Sequence, residues 1–187
     1  MIRNFGATGL TIQPQGLDLG LGGSNIKSIQ RGTFLWGTQL TNTIAINAII
    51  ANNSIIIVGS GTTAAAGADS TVTSTSGTII DNSSIKLDRF VATALSTLTV
   101  SWCVIEFNNV KSKQSGSQTY TGWTETTGIT IATINPLKSL VFYSFYSKES
   151  GTNIGSLSLH AYIDSPTHVQ IYPYGAKNLT WQVIEFN

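Results

Sequence analysis

The side chains that could carry chemistry in this chain are few, and they fall into three groups. Two glutamates, Glu106 and Glu185, end two similar segments, and paired carboxylates are what a glycoside hydrolase uses. Two histidines, His160 and His168, flank an acidic turn, and such a set can bind a metal ion. The third candidate is the single cysteine, Cys103, whose thiolate could act as a nucleophile.

None of these groups has the partners that its chemistry requires. Two imidazoles without a third strong ligand make a poor zinc site, and Cys103 has no histidine in its own half of the chain. The glutamates occupy equivalent positions in two copies of one segment, so pairing with Lys27 or Lys111, or with a neighbouring subunit, explains them better than catalysis does. The sequence therefore predicts no catalytic residue, no metal site and no cofactor, and it makes Glu106 and Glu185 candidate interface residues.

The chain carries an internal duplication. Val-Ser-Trp-Cys-Val-Ile-Glu-Phe at 100–107 matches Leu-Thr-Trp-Gln-Val-Ile-Glu-Phe at 179–186, and Ile-Lys-Ser-Ile-Gln-Arg-Gly at 26–32 matches Val-Lys-Ser-Lys-Gln-Ser-Gly at 110–116. No linker rich in Gly, Ser or Pro separates the two copies, so we expect them to pack directly on each other. The predicted regions are a Gly-rich N-terminal arm (1–25), a first repeat (26–109) and a second repeat (110–187).

Alternating apolar residues predict β-strands in both repeats. Residues 43–49 and 128–134 alternate with period two, and each stretch precedes a short apolar run. Residues 79–87 and 162–171 each predict a hairpin around a polar turn that begins with Asp. Because no helical period is present, we predict an all-β fold: two tandem antiparallel β-sandwich units, jelly-roll or immunoglobulin-like, with an extended N-terminal arm.

The strand that closes each repeat has two different faces. Its tryptophan points to one face and its last phenylalanine to the other, and the four residues concerned are predicted structural anchors of the core. Cys103 lies on the phenylalanine face at the position where the second repeat has Gln182, so this face is expected to be less buried or to lie at a seam between the units. The predicted anchors are Trp102, Trp181, Phe107 and Phe186.

The N-terminal arm cannot close a core by itself, because its glycines separate short apolar pairs. A frayed terminus is one interpretation. The other is an extended arm that adds a strand to a neighbouring subunit of a homo-oligomer. In that second case the candidate interface residues of the arm are Leu10, Ile12, Leu17 and Leu19.

Composition disfavours several classes of partner. Charged residues make up 10% of the chain and the net charge is +1, so there is no basic field for nucleic acid. A single cysteine rules out an internal disulfide and fits folding in a reducing cytoplasm. No apolar leader and no run of about 20 apolar residues is found, so neither export by the ordinary route nor a membrane partner is expected.

Aromatic residues are more frequent in the second repeat than in the first. Most are expected in the core or at an interface, but an exposed cluster could stack on sugar rings. The candidate glycan contacts are Trp123, Tyr146 and Tyr172.

The repeated ends, "KSIQRG" at 27–32 and "VSWCVIEF" at 100–107, give the chain a family likeness. It resembles a small β module that recurs in tailed-bacteriophage virion proteins. The second repeat keeps Lys111, Ser112, Gln114 and Gly116 of the opening motif but has Ser115 in place of its arginine. The resemblance spans residues 26–187, and its motifs are structural.

This resemblance implies a non-enzymatic protein that is made in the host cytoplasm and assembled into the virion. The leading expectation is a capsid decoration or cement protein, which stabilises the shell through contacts with the major capsid protein or other virion proteins. The alternative is a tail-fibre, tail-tip or head-fibre protein that binds a host surface glycan or receptor.

Overall fold

The structure, a computed structural model, describes residues 25–62, 74–90, 98–121, 127–148, 159–175 and 177–187 of the chain. Within these ranges the fold is all-β, as predicted, and the only helical elements are the 3₁₀ turns Ala51–Asn53 and Pro136–Lys138. The strands are β1 (Ile26–Leu35), β2 (Thr41–Ala45), β3 (Ser54–Thr62), β4 (Ser76–Ile79), β5 (Ser84–Asp88), β6 (Leu98–Phe107), β7 (Val110–Tyr120), β8 (Thr127–Thr130), β9 (Ser139–Ser147), β10 (Leu159–Ser165), β11 (His168–Pro173) and β12 (Lys177–Phe186).

These strands form four antiparallel sheets of three strands each. Sheet A has the order β1-β6-β3 and sheet B the order β2-β5-β4, whereas sheet C is β7-β12-β9 and sheet D is β8-β11-β10. Adding six to every strand number converts sheets A and B into sheets C and D, so the duplication in the sequence is matched strand for strand. We call residues 26–107 the first half and residues 110–186 the second half.

Two predicted strands are shorter than the alternating pattern suggested. β2 ends at Ala45 and β8 ends at Thr130, although the alternation continues for four residues in each case. Beyond these ends the backbone N–H groups donate to carbonyl groups of a hairpin turn and not to a strand. The pattern therefore reports which side chains face the core, and it does not report the backbone partner. The bonds join Ile46 to Ser83, Ile49 to Asn82, Ile131 to Thr167 and Ile134 to Pro166 at 2.8–2.9 Å.

Three apolar clusters hold the sheets together. The first lies between sheets A and B and includes Val104 and Leu87, and the second lies between sheets C and D and includes Val183 and Ile171. The third cluster, made of Ile55, Phe107, Ile184 and Phe186, joins sheet A to sheet C. Sheets A and C therefore bury residues on both of their faces, which is why β6 and β12 contain so few exposed side chains.

The two repeated tryptophans lie at the edge of these cores. Trp102 and Trp181 are half-buried and pack against the first and second clusters. Each ring lies across the neighbouring strand, where a glycine faces it: a Cβ at Gly32 would lie 2.6 Å from Trp102 Cζ2, and one at Gly116 would lie 2.8 Å from Trp181 Cζ2. The tryptophans thus cover the sheets, whereas buried Phe107 and Phe186 fill the contact between the halves.

Candidate functional site

The repeated glutamates are held inside the protein by groups of their own half. Glu106 Oε1 receives hydrogen bonds from Lys27 Nζ at 2.8 Å and from the backbone N–H of Ile50 at 3.0 Å, and Oε2 receives one from Ser28 Oγ at 3.0 Å. The Glu106 side chain is almost completely buried. We call this arrangement the glutamate clamp, because it ties β1, β6 and the 3₁₀ turn of the first half together.

The second half contains the same clamp. Glu185 accepts from Lys111 at 2.9 Å, from Ser112 at 3.1 Å and from the N–H of Asn135 at 2.9 Å. Burial alone would raise the pKa of Glu106, but the bonds from its three donors outweigh burial and lower it. For Glu185 the bond from Lys111 is the strongest influence and lowers the pKa despite burial. Both carboxylates are therefore ionised and bonded to donors of their own half.

Other residues of the repeated motif also make structural contacts. Gln30 binds the backbone of Asn47 through both ends of its amide, at 2.9 and 2.7 Å, and Gln114 does the same with Ala132 at 2.9 and 2.6 Å. Together with the glycine beneath each tryptophan, these bonds account for the Lys, Ser, Gln, Gly, Trp and Glu of the motif. These six residue types of the duplicated signature thus make contacts that hold the fold together.

The two halves meet along a contact that we call the joint. In its polar part, side chains of sheet C bond to backbone groups of the first half, and Ser74 Oγ of the first half accepts from the N–H of Ser147 in sheet C at 2.7 Å. Gln182 accepts from the N–H of Ile56 at 3.1 Å and donates to its carbonyl at 3.0 Å. Ser144 accepts from the N–H of Gly77 at 3.0 Å, and Lys113 donates to the carbonyl of Ala51 at 2.9 Å. Burial lowers the pKa of Lys113 to about 8.

The outer face of sheet D carries three ring side chains in a row, His160, Tyr162 and Tyr172, which we call the aromatic row. The strand register places His160 opposite Tyr172. The ring of Tyr172 lies nearly parallel to those of His160 and Tyr162, with centroids 6.0 and 6.2 Å away. All three side chains are exposed, and a hydrogen bond with Tyr172 raises the pKa of Tyr162.

Hydrogen-bonding groups extend the aromatic row along the same face. His168 Nδ1 lies 2.7 Å from Asp164 Oδ1, and Gln170 stands opposite Tyr162. Exposed aromatic rings beside carboxylate, imidazole and amide groups form the kind of surface that stacks on a sugar ring and bonds to its hydroxyls. At the matching positions of sheet B the first half has Ser76, Thr78 and Asp88.

Of the predicted glycan contacts, the structure places Tyr172 in the aromatic row and Tyr146 elsewhere. Tyr146 is half-buried, stacks on Phe90 with centroids 6.5 Å apart, and accepts a hydrogen bond from Asn178. It lines a polar groove of about 440 Å³ between sheets B and C. The structure thus does not bring these two tyrosines into one site, and Trp123 lies outside the described residues.

Three further sequence expectations can be placed. Cys103 is half-buried on the sheet A face, and burial raises the pKa of its thiol. Asp164 and His168 form a pair, but the described ranges contain no group of three or more His, Cys, Asp or Glu side chains placed to hold a metal ion. The candidate interface residues of the arm, which are Leu10, Ile12, Leu17 and Leu19, lie outside the described residues.

The sequence analysis missed His160 and Tyr162 as surface partners of Tyr172. The signal was available, because aromatic residues alternate with apolar ones on both strands of a predicted hairpin, and alternation puts them on one face.

Comparisons with known proteins give no family for the chain. No protein-family model matches it, and no curated protein or solved structure matches it either. Among the residues that the structure describes, no helix is long and apolar enough to cross a membrane. The class that the fold itself defines is an all-β protein of four small antiparallel sheets with a buried contact between its halves.

Proposed function

We propose that the chain is a non-enzymatic structural protein of a tailed-bacteriophage virion, with capsid decoration as its leading role. The observation that carries this proposal is that the motif on which the virion resemblance rests is occupied by internal structural contacts. Glu106 and Glu185 are held in their clamps, and Gln30 and Gln114 bond to backbone groups of their own halves. A protein that works by adding interface needs such a fold and no reactive centre.

For the architecture, we propose that each half is one six-stranded jelly-roll β-sandwich. In a jelly roll the first and last strands are neighbours in one sheet, and the second strand lies in the opposite sheet. The orders β1-β6-β3 and β2-β5-β4, with their counterparts in the second half, have this arrangement. The apolar clusters shared by sheets A and B and by sheets C and D support the pairing into sandwiches.

A decoration protein would stabilise a shell by binding only the assembled form, so that each bound copy shifts the assembly equilibrium by mass action. The joint suits this role, because it fixes the two halves relative to each other and lets one chain bridge two shell subunits without loss of binding energy to linker motion.

The test is quantitative mass spectrometry of purified particles of the virus that encodes the chain. Decoration predicts a copy number close to that of the major capsid protein. A copy number of a few tens or lower would replace decoration with the fibre alternative, and absence of the chain from the particles would refute a virion role altogether.

A second candidate function, binding of a host surface glycan, is favoured by the aromatic row. Three exposed rings with neighbouring Asp164, His168 and Gln170 occur on sheet D alone among the described sheets. The experiment is a glycan array probed with the wild-type protein and with the double variant Tyr162→Ser/Tyr172→Ser. Selective binding that falls by roughly tenfold or more, about 1.4 kcal/mol, would support the candidate.

The matched control uses the equivalent positions of the first half, Thr78→Ser/Asp88→Ser. If this control weakens glycan binding as much as the tyrosine variant does, or if the wild-type protein binds no glycan, the candidate is wrong.

A further inference from the structure

The polar groove between sheets B and C is built by both halves of the chain. Its floor is the face of sheet C that carries Gln182, and its wall is formed by β4 and β5. Gln182 and Thr180 bond to backbone groups of the first half, so these two side chains belong to the joint. The volume of about 440 Å³ falls within the range of about 300–1,000 Å³ that is usual for ligand sites. A ligand of ordinary size can therefore bind beside the joint without replacing its bonds.

Small hydroxyl side chains line the floor of the groove beside the joint. Ser115, Ser117 and Thr119 alternate along β7, so they lie on one face of sheet C, and all three are exposed. Within the described part of the chain, no group bonds to the hydroxyl of Ser115 or Ser117. At about 3.3 Å per residue the row is about 13 Å long, so it suits an extended ligand. The matching positions of sheet A hold larger or apolar side chains as well as one hydroxyl, namely Arg31, Thr33 and Leu35.

Two lysines and one aspartate supply the charge of the groove. Lys86 Nζ lies 3.0 Å from Asp88 Oδ2, while Thr41 donates to Asp88 Oδ1 at 2.8 Å. Lys113 donates to the carbonyl of Ala51 at 2.9 Å and pairs with no acidic side chain of the described residues. An ammonium group has three donors, so both lysines keep N–H groups for a ligand. The lining thus has one more cation than anion, which favours a ligand that carries negative charge.

These groups match an acidic carbohydrate. Hydroxyl and amide side chains, among them exposed Gln118, can donate and accept hydrogen bonds, as sugar hydroxyls do. A sugar carboxylate would accept charge-assisted hydrogen bonds, which are stronger than neutral ones, from Lys86 and Lys113. Nucleic acid fits less well, because its binding depends on many neutralised phosphates and the groove has only two lysines.

We propose that this groove is a binding site for an acidic oligosaccharide, one that carries sialic or uronic acid. Lys86 and Lys113 bind its carboxylates, and the hydroxyl row of β7 binds its sugar hydroxyls. The proposal extends the second candidate function, glycan binding, to a site that shares no residue with the aromatic row, so either site can fail without the other. It does not depend on a virion role.

A glycan array that pairs each sialylated or uronic-acid oligosaccharide with its neutral counterpart tests the proposal. Wild-type protein is expected to bind acidic members at least tenfold more tightly than their neutral partners. Ser117→Trp fills the groove from an exposed position and should weaken this binding by tenfold or more. The matched control Thr33→Trp, at the equivalent exposed position of sheet A, should bind like the wild type. Unchanged circular dichroism spectra would show that both variants are folded.

Substitution of Lys86 tests the role of charge. Lys86→Gln should weaken binding of the acidic glycans several-fold, whereas Lys86→Arg, which keeps the charge, and Lys138→Gln, at an exposed lysine outside the groove, should not. Equal loss in Lys86→Gln and Lys138→Gln would reduce the effect to the net charge of the protein and overturn the proposal.

Three further outcomes would overturn the proposal. One is a wild-type protein that shows no preference for acidic glycans, and another is a Ser117→Trp variant that binds them as well as the wild type does. If only Tyr162→Ser/Tyr172→Ser abolishes binding, the glycan belongs to the aromatic row and the groove is excluded. The last is displacement of the glycan by tetraglutamate at equal concentration, which would make the ligand an acidic peptide.

Discussion

The two halves of the chain share their internal bonds and differ in what their faces contact. Glu106 and Glu185 make the same three bonds, and Gln30 and Gln114 bind equivalent backbone groups. In contrast, Gln182 lies buried in the joint, whereas Cys103 at the matching position of the first half is half-buried. The two halves have thus kept the same internal hydrogen bonds, whereas the residues on the outer faces of sheets A and C differ.

The difference shows how a β protein can protect its edges. Strands β3 and β4 end their sheets with free N–H and C=O groups, which invite pairing with other chains. Side chains of sheet C satisfy those groups without extending either sheet, because an amide such as Gln182 can donate and accept at once. On sheet A, Cys103 and Gly59 stand at the positions of Gln182 and Ser144.

The largest expected effect separates Ile55 in β3 from its counterpart Leu140 in β9. Ile55→Ala removes a fully buried side chain from the cluster that joins the halves and should lower the free energy of unfolding by about 3–4 kcal/mol. Its counterpart Leu140→Ala, at a site that is 38% exposed, should cost about 1 kcal/mol. Urea denaturation of both variants measures the difference, and equal losses would show that the joint does not depend on Ile55.

Substitution of either clamp glutamate should lower the free energy of unfolding by a similar amount, because both halves contain the same clamp. Glu106→Gln and Glu185→Gln each remove a buried charge from its lysine and should each cost about 2 kcal/mol. Because the folded pKa lies below the usual 4.5, the clamp contributes its full stability above pH 4.5 and loses it as pH falls through the folded pKa. Wild-type protein should therefore lose more stability on acidification than either variant, as measured by urea midpoints from pH 7 to 3.

If only one of the two glutamate substitutions lowered stability, the two clamps would not contribute equally to the free energy of unfolding. The serine variants Ser28→Ala and Ser112→Ala provide a matched control, because they remove one donor from each clamp and keep the ion pair.

Substitutions in the polar part of the joint should give a smaller difference in stability between the two halves. Gln182→Ala leaves the N–H and carbonyl of Ile56 without partners in a buried position and should cost about 1.5 kcal/mol. Cys103→Ala changes the same position of the other half, where the side chain makes no such bond, and should change stability by less than about 0.5 kcal/mol. Thermal melting of the two variants is the measurement, and a Cys103 variant as damaged as the Gln182 variant would contradict the assignment of the joint.

Much of the fold follows from the sequence, because period-two alternation and Asp-led turns mark the strands and hairpins directly. The lysine partners of Glu106 and Glu185 could also be predicted, since each pair belongs to the repeated ends of one unit. The depth of Trp102 and Trp181 could not, because it depends on which strand lies beside them and on the glycine that this strand presents. The joint could not be predicted from the sequence for a similar reason. Gln182 bonds to the backbone of a residue 126 positions away, and every residue type offers the same backbone groups.

The smallest expected effect is on the pH dependence of stability, and it comes from Lys113, which occupies the position of Ile29 in the first half. Burial gives Lys113 a folded pKa of about 8, below its usual 10.5, so folding disfavours its charged form. The cost is fully present below pH 8 and disappears as pH rises towards 10.5, so wild-type protein should gain about 1 kcal/mol relative to Lys113→Met between pH 7.5 and 9.5, after allowance for its partial exposure. Urea midpoints at the two pH values measure this gain. Parallel pH profiles would mean that Lys113 reaches water in the folded protein, and that its bond to Ala51 is not a fixed part of the joint.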